Sequence, residues 1–399
     1  MILRATLLAI VAVLTTAAAA SASPAPPVGR AAAAIVVDAS DGAVVFQKNP
    51  DEQRAIASTT KLMTALLTLE RARPRDVFTA PAYDALPAES KINLRKGERM
   101  RVEDLLEGLL LESANDAAVT LAEGIAGSRS RFVSLMNRRA AELGLARTSY
   151  ANPIGLDDPN NQSTARDLAR LAVRLLRTPQ FARIVDMPKA VLESGSRRRV
   201  VDNRNDLVGR YPFVDGVKTG HTIEARYVLV GAAHGRGGSS VVSVVLGEPS
   251  EAARDTDTLA LLRWALGRFR RERVLDPGRV VARADIKYRD ERAELVPRSP
   301  LDLSVRSGER VSRRIEAPDE LEGPLRKGQK VGSVTVLEDG KVVRRVDLVT
   351  AAKVPGAGPL RVLFSPLGVP LTLLFVFCAL GAAALMVRRS RVRQRTVRE

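Results

Sequence analysis

The sequence predicts an α/β domain built on an antiparallel sheet with helices, followed by a small all-β domain and a C-terminal transmembrane helix. Three observations carry that prediction. Helical periodicity and short apolar strands alternate up to about Phe269, the pattern turns strand-like after Leu275-Asp276-Pro277-Gly278, and the stretch 366–387 carries no charged residue. Hairpin-like connections between the strands of the first domain favour antiparallel pairing. About 330 residues lie between an N-terminal leader and the apolar C-terminal stretch, which suits two domains rather than one small core.

Residues 1–22 read as a secretory signal peptide. Arg4 precedes an apolar run over 7–15, and the small residues Ala20-Ser21-Ala22 form a cleavage site. The first domain, 28–270, opens with a hairpin of strands 34–37 and 43–46 turned by Ser40-Asp41-Gly42. A helix starts near Ser58, where Leu62, Ala65 and Leu66 recur at helical spacing. Further helices are expected over 102–111, 116–124, 131–143 and 164–176, strands over 227–233 and 239–246, and a closing helix over 258–269. The β-domain, 277–353, carries strands at 280–286, 293–296, 301–305, 331–337 and 342–349. Asp339-Gly340 marks a tight hairpin between the last two. Pro355-Gly356-Ala357-Gly358-Pro359 lies in a linker, 354–362. A membrane helix is expected over 363–387, because about 20 apolar residues span a bilayer. In the tail, 388–399, six arginines mark the cytoplasmic side, so the body belongs to the cell membrane with its catalytic domain extracytoplasmic.

Composition excludes several chemistries. The single cysteine, Cys378, sits in the membrane helix, so the folded body has neither a disulfide nor a thiol nucleophile. The two histidines, His221 and His234, fit no paired-His ligand spacing, and neither a metal nor another cofactor is expected. A net charge of +17 invites nucleic acid, but the export signal and an aromatic content of 4% argue against that partner. Anionic wall polymers or lipid headgroups answer the charge better.

Three short motifs follow in order: Ser58-Thr59-Thr60-Lys61, Ser113-Ala114-Asn115 and Lys218-Thr219-Gly220, separated by 55 and 105 positions. Each alone is weak; their order and company carry the weight. Residues three apart share a helix face, so Lys61 can reach the Ser58 hydroxyl. Partial burial beside a second cation, Lys218, lowers a lysine toward neutrality and makes it a base. A serine at a helix N-terminus gains from free N–H groups, which stabilise an oxyanion. Ser113 and Asn115 are expected between two helices, Ser113 relaying a proton to the leaving amine and Asn115 orienting Lys61 or the substrate amide. Their neighbours Glu112 and Asp116 read as first-turn charges. Lys218, Thr219 and Gly220 are expected on an edge strand, where Gly220 admits substrate backbone and the other two face a carboxylate. The His221 N–H is expected to join that of Ser58 as the second oxyanion donor.

The three motifs together match the signature of penicillin-recognising serine enzymes. The chain resembles the serine-type D-alanyl-D-alanine carboxypeptidases, the low-molecular-mass penicillin-binding proteins. The resemblance runs on through Ala57-Ser58-Thr59-Thr60-Lys61-Leu62-Met63-Thr64, Asn152-Pro153 with Gly155-Leu156, Ser163-Thr164-Ala165 with Asp167-Leu168, Val214 to Thr222, and Leu325 to Gly332. It implies the β-lactamase/transpeptidase-like fold and an acyl-enzyme on Ser58 that releases the terminal D-alanine of peptidoglycan stem peptides. It also implies β-lactams as covalent inhibitors. By the same resemblance Arg204 matches an arginine that binds the substrate carboxylate, with Arg254 as the weaker candidate. Two departures stand out: Arg226 replaces a usual glycine, and a spanning helix replaces a helix lying on the membrane. D,D-endopeptidase, β-lactamase and a sensor that acylates without turnover remain as alternatives. No Glu-x-x-Asn occurs between Asn115 and Lys218 to supply a lactamase base, and the short tail argues against signalling.

Overall fold

A computed structural model describes residue 26, residues 29–358 and residues 368–395; the expected signal peptide, 1–22, and parts of the expected linker, membrane helix and tail lie outside the described residues. The first domain is organised on a sheet of strands β1 (Ala33–Asp38), β2 (Val44–Lys48), β9 (Val214–Thr222), β10 (Arg226–His234) and β11 (Ser240–Glu248). The order β2-β1-β11-β10-β9 is antiparallel throughout, and β9 forms one edge. Short pairs join distant segments: β3 (Arg54–Ala55) with β6 (Gln162–Ser163), β4 (Val77–Thr79) with β5 (Arg99–Arg101), and β7 (Lys189–Leu192) with β8 (Arg199–Asp202).

Helices cover both faces of the sheet: α1 (Lys61–Arg71), α2 (Val102–Leu110), α3 (Asn115–Ala126), α4 (Arg129–Glu142), α5 (Ala165–Leu176), α6 (Pro179–Val185) and α7 (Glu251–Leu266). Successive strand residues point to opposite faces. Ile35, Val230 and Val244 therefore join the larger core with α1 and α5, while Ala34, Val36, Leu229 and Val245 join a second core with Leu261 and Leu262 of α7. Burial on both sides explains why β11 shows an unbroken apolar run over 241–246 apart from Ser243.

Local chemistry sets the helix ends. Thr164 caps α5 by accepting from Asp167 N at 3.1 Å, and Ser250 caps α7 by accepting from Ala253 N at 3.1 Å. That second cap starts α7 seven residues before the expected helix at 258, and Phe269 opens a strand instead of closing the helix. Gly127, at φ 74°, ends α3 in the left-handed conformation.

The β-domain contains β12 (Phe269–Leu275), β13 (Ala282–Ile286), β14 (Arg292–Pro297), β15 (Leu301–Arg306), β16 (Val311–Glu316), β17 (Glu320–Leu321), β18 (Lys330–Glu338) and β19 (Lys341–Thr350). Six form a sheet in the order β16-β18-β19-β14-β13-β17, and β12 pairs with β15. Asp339 and Gly340 both take positive φ, as the tight β18–β19 turn requires. Arg306 reaches across to the first hairpin, with Nη1 3.2 Å from Asp38 Oδ2. A final helix, α8 (Gly368–Arg395), includes Val369–Val387, which has mean hydropathy 2.3, is long and apolar enough to cross a membrane, and is exposed among the described residues.

Candidate active site

Ser58 sits in a 3-10 turn, Ala57–Thr60, that runs directly into α1. That continuity delivers the three-residue spacing as contact: Lys61 Nζ lies 2.9 Å from Ser58 Oγ. Lys61 also donates to the Ile154 carbonyl at 2.6 Å. The loop carrying that carbonyl is wound around Asn152, whose Oδ1 accepts from Gly155 N at 2.7 Å and Leu156 N at 3.2 Å. Thr64 ties the same loop to α1 by donating to Pro153 O at 2.7 Å. The Asn-Pro-x-Gly string carries no role in the sequence alone; its product is the acceptor that aims Lys61.

Two glycines wall the nucleophile turn. A Cβ on Gly155, at φ 92°, would fall 2.0 Å from Ala57 O, and one on Gly220 would fall 2.8 Å from Ser58 N. Beside its expected role of admitting substrate backbone, Gly220 has a structural reason to lack a side chain. The space a side chain would fill is occupied by the protein's own turn, because β9 packs directly on Ala57–Thr60.

Lys61 is wholly buried and has no carboxylate partner at salt-bridge distance among the described residues. Burial first, then the Lys218 ammonium, pushes it well below the ordinary lysine range, against the opposing pull of Glu89 and Asp116. Lys218 on β9 is also buried, and burial together with Arg254 and Arg204 lowers it to about 7, against the pull of Glu112. Its ammonium donates to Thr219 O at 3.1 Å. A neutral Lys61 amine carries a lone pair, so it can take the Ser58 proton over the observed distance.

Ser113, at φ 62°, and Asn115 lie where α2 gives way to α3, as expected. Asn115 does not bond to Lys61; its Nδ2 donates to Glu89 Oε2 at 2.6 Å. Tyr83 donates to the same carboxylate. Although burial works against it, Tyr83 and Asn115 hold the Glu89 carboxyl below its ordinary value. Glu89 was not legible in the sequence, because it lies in an irregular segment without periodicity. Glu112 pairs with Arg204, whose Nε is 3.1 Å from Oε1, and Asp116 accepts from Ile92 N at 3.1 Å and Leu94 N at 2.9 Å. Both acids are thus engaged structurally.

Arg204 is more than half exposed, whereas Arg254 is buried between Glu251 at 2.9 Å and Asp255 at 2.8 Å. Thr219 is buried beside Lys218, and exposed His221 stacks on Tyr227 with ring centres 4.1 Å apart. Arg226 opens β10 at φ 56°, a conformation in which glycine carries no penalty. It remains exposed at the strand end.

Comparison with known proteins agrees with this arrangement. A family described as D-alanyl-D-alanine carboxypeptidase matches residues 19–250, and the C-terminal domain of penicillin-binding protein 5 matches residues 269–356. The chain is 32% identical over 317 residues to the D-alanyl-D-alanine carboxypeptidase DacF of Bacillus subtilis, covering 77% of this chain and 81% of that protein. DacA of Haemophilus influenzae is 31% identical over 336 residues, covering 81% and 84%. The crystal structure of penicillin-binding protein 5 from Haemophilus influenzae superposes with a TM-score of 0.60 at 31% identity, covering 84% of this chain and 99% of that one. With Ser58 against a buried Lys61, two flanking motifs and both domains matched, the chain belongs to the family of serine-type D-alanyl-D-alanine carboxypeptidases.

Proposed function

We propose that this carboxypeptidase works through an acyl-enzyme on Ser58, with Lys61 as its base. The observation that carries the reading is the wholly buried amine 2.9 Å from the serine oxygen, pushed well below the ordinary lysine range by burial and by Lys218. Ser58 Oγ attacks the carbonyl between the two D-alanines, and its proton passes to Lys61 Nζ. The oxyanion is received by the N–H groups of Ser58 and His221, each such donor worth about 3 kcal/mol of transition-state stabilisation. Ser113 relays a proton to the leaving amine, free D-alanine departs, and water releases the shortened peptide. Lys218, Thr219 and Arg204 bind the terminal carboxylate, Gly220 lets the nucleophile turn pack on β9, and Asn115 holds the far side of the cleft against Glu89. β-Lactams acylate the same serine.

The apolar run in α8 supports a membrane-anchored body, with the signal peptide exporting the catalytic domain to the wall side and the arginine-rich tail remaining inside. The β-domain then serves as a stalk.

Mass spectrometry of the detergent-solubilised full chain with diacetyl-Lys-D-Ala-D-Ala tests the chemistry. Loss of one D-alanine is expected for the wild type and not for Ser58→Ala. Stable penicillin labelling of Ser58 without D-alanine release would instead favour a sensor or an endopeptidase.

A further inference from the structure

Beside the Ser113–Asn115 motif the surface is cut by two adjoining depressions, of about 390 and 640 Å³, that share Lys91, Asn93 and Arg197. The first reaches Glu112 and the second reaches Tyr83 and Asp116, so together they flank the catalytic loop. Their floor is held from two sides. Asp116 of α3 accepts from Ile92 N and Leu94 N at 3.1 and 2.9 Å. From the other side the buried Arg199 guanidinium donates to Ile92 O at 2.7 Å, Asn93 O at 3.3 Å and Arg197 O at 3.0 Å. It is neutralised by Glu98 at 2.8 and 3.0 Å. Arg199 thus clips the 91–95 segment to the β7–β8 arm.

This clip leaves an unbalanced charge. Lys91, Arg95 and Arg197 have no ion-pair partner among the described residues. The acids lining the same walls are otherwise engaged: Glu112 with Arg204, and Asp116 with backbone N–H groups. Only exposed Asp84 offsets the three cations. Three cations on a braced shelf that opens onto the catalytic loop match a ligand bearing carboxylate beyond its C-terminus.

Resting on the carboxypeptidase reading, we infer that this shelf is a subsite for a second free carboxylate of the wall peptide, so that the enzyme discriminates carboxylate-bearing from amidated stems. Lys91, Arg95 and Arg197 are specificity residues, apart from the Lys218 and Arg204 site for the terminal carboxylate.

The test compares kcat/KM of the full chain in detergent on two acetylated pentapeptides ending in D-Ala-D-Ala. One carries free carboxylates on its glutamyl and diaminopimelyl residues and the other carries amides there. Diacetyl-Lys-D-Ala-D-Ala, whose only carboxylate is the C-terminal one, is the control. In the wild type the carboxylate peptide should be preferred by about tenfold at low salt, the scale of three exposed ion pairs, and the preference should fall as ionic strength rises. In Lys91→Ala/Arg95→Ala/Arg197→Ala it should fall to about unity through KM, with the control tripeptide cleaved as by the wild type. An equal rate on both pentapeptides in the wild type overturns the subsite. So does an equal loss on all three peptides in the variant, which marks a structural role. A wild type that cleaves none of the three overturns the carboxypeptidase reading and the subsite with it.

Discussion

Replacing Gly220 by alanine tests whether β9 positions the nucleophile. The added Cβ would lie 2.8 Å from Ser58 N, 2.9 Å from Ala57 Cβ and 2.9 Å from Val228 Cγ2. Val228 can turn its side chain, but the Ser58 amide is backbone, and an ordinary contact at 3.4 Å requires about 0.6 Å of displacement there. In the proposed mechanism that amide is both an oxyanion donor and the anchor of the attacking oxygen. Overpacking of this kind costs about 1–3 kcal/mol of stability. Misplacing the reacting group by a comparable distance costs about 10²-fold in rate. Gly220→Ala should therefore acylate with a fluorescent penicillin about a hundredfold more slowly while melting only a few degrees earlier. Stopped-flow acylation beside thermal denaturation by circular dichroism reads both. Acylation within threefold of the wild type, with an unchanged melting point, would refute the claim that this contact places the serine.

The pH profile of kcat/KM should be bell-shaped, rising as Lys61 loses its lowered proton and falling above about pH 7 as Lys218 loses the charge that holds the carboxylate. Arg254→Gln removes one cause of the low Lys218 value and should move the alkaline limb upward; a stationary limb in a pH-rate series would exclude Lys218 as its source. Burial works against the Glu98 carboxylate, yet the N–H groups of Arg95 and Ser196 and the Arg199 guanidinium hold it down to about 2. Its folded value lies below its unfolded one, so the stability it contributes is complete above pH 4.5 and is lost as pH falls toward 2. Glu98→Gln should cost about 3 kcal/mol at pH 7 by denaturant titration, with the gap to wild type closing through that window. Arg226→Gly relieves a left-handed residue and should raise stability by about 0.5–1 kcal/mol in the same titration, without changing acylation.

Much of both domains was readable because the signals are local. The caps at Thr164 and Ser250, the left-handed Gly127 and the Asp339-Gly340 turn each act within four residues, although the apolar period alone places the start of α7 seven residues after the Ser250 cap does. The Ser58 and Lys61 spacing was readable for the same reason. The arm of β7 and β8 was missed, since its turn is rich in arginine and its strands carry only four residues each. Helix α6, at seven residues, was too short to show a period. Arg204 and Arg254 were candidates of the same kind in sequence. Both bear on Lys218, but burial separates them: Arg254 is enclosed between Glu251 and Asp255, while Arg204 stays at the surface with Glu112.

The sequence by itself determined the family, the two domains, the apolar C-terminal helix and the three motifs, because these are written in residue type and short spacing. Only the tertiary structure decided how the motifs work. The Ile154 carbonyl, Glu89 and the close fit of Gly220 and Gly155 on the nucleophile turn come from segments far apart in the chain. The lowering of Lys61 and Lys218 likewise depends on burial and on cations brought near by folding. Desolvation and charge act through distance in space, and a linear sequence does not contain that distance.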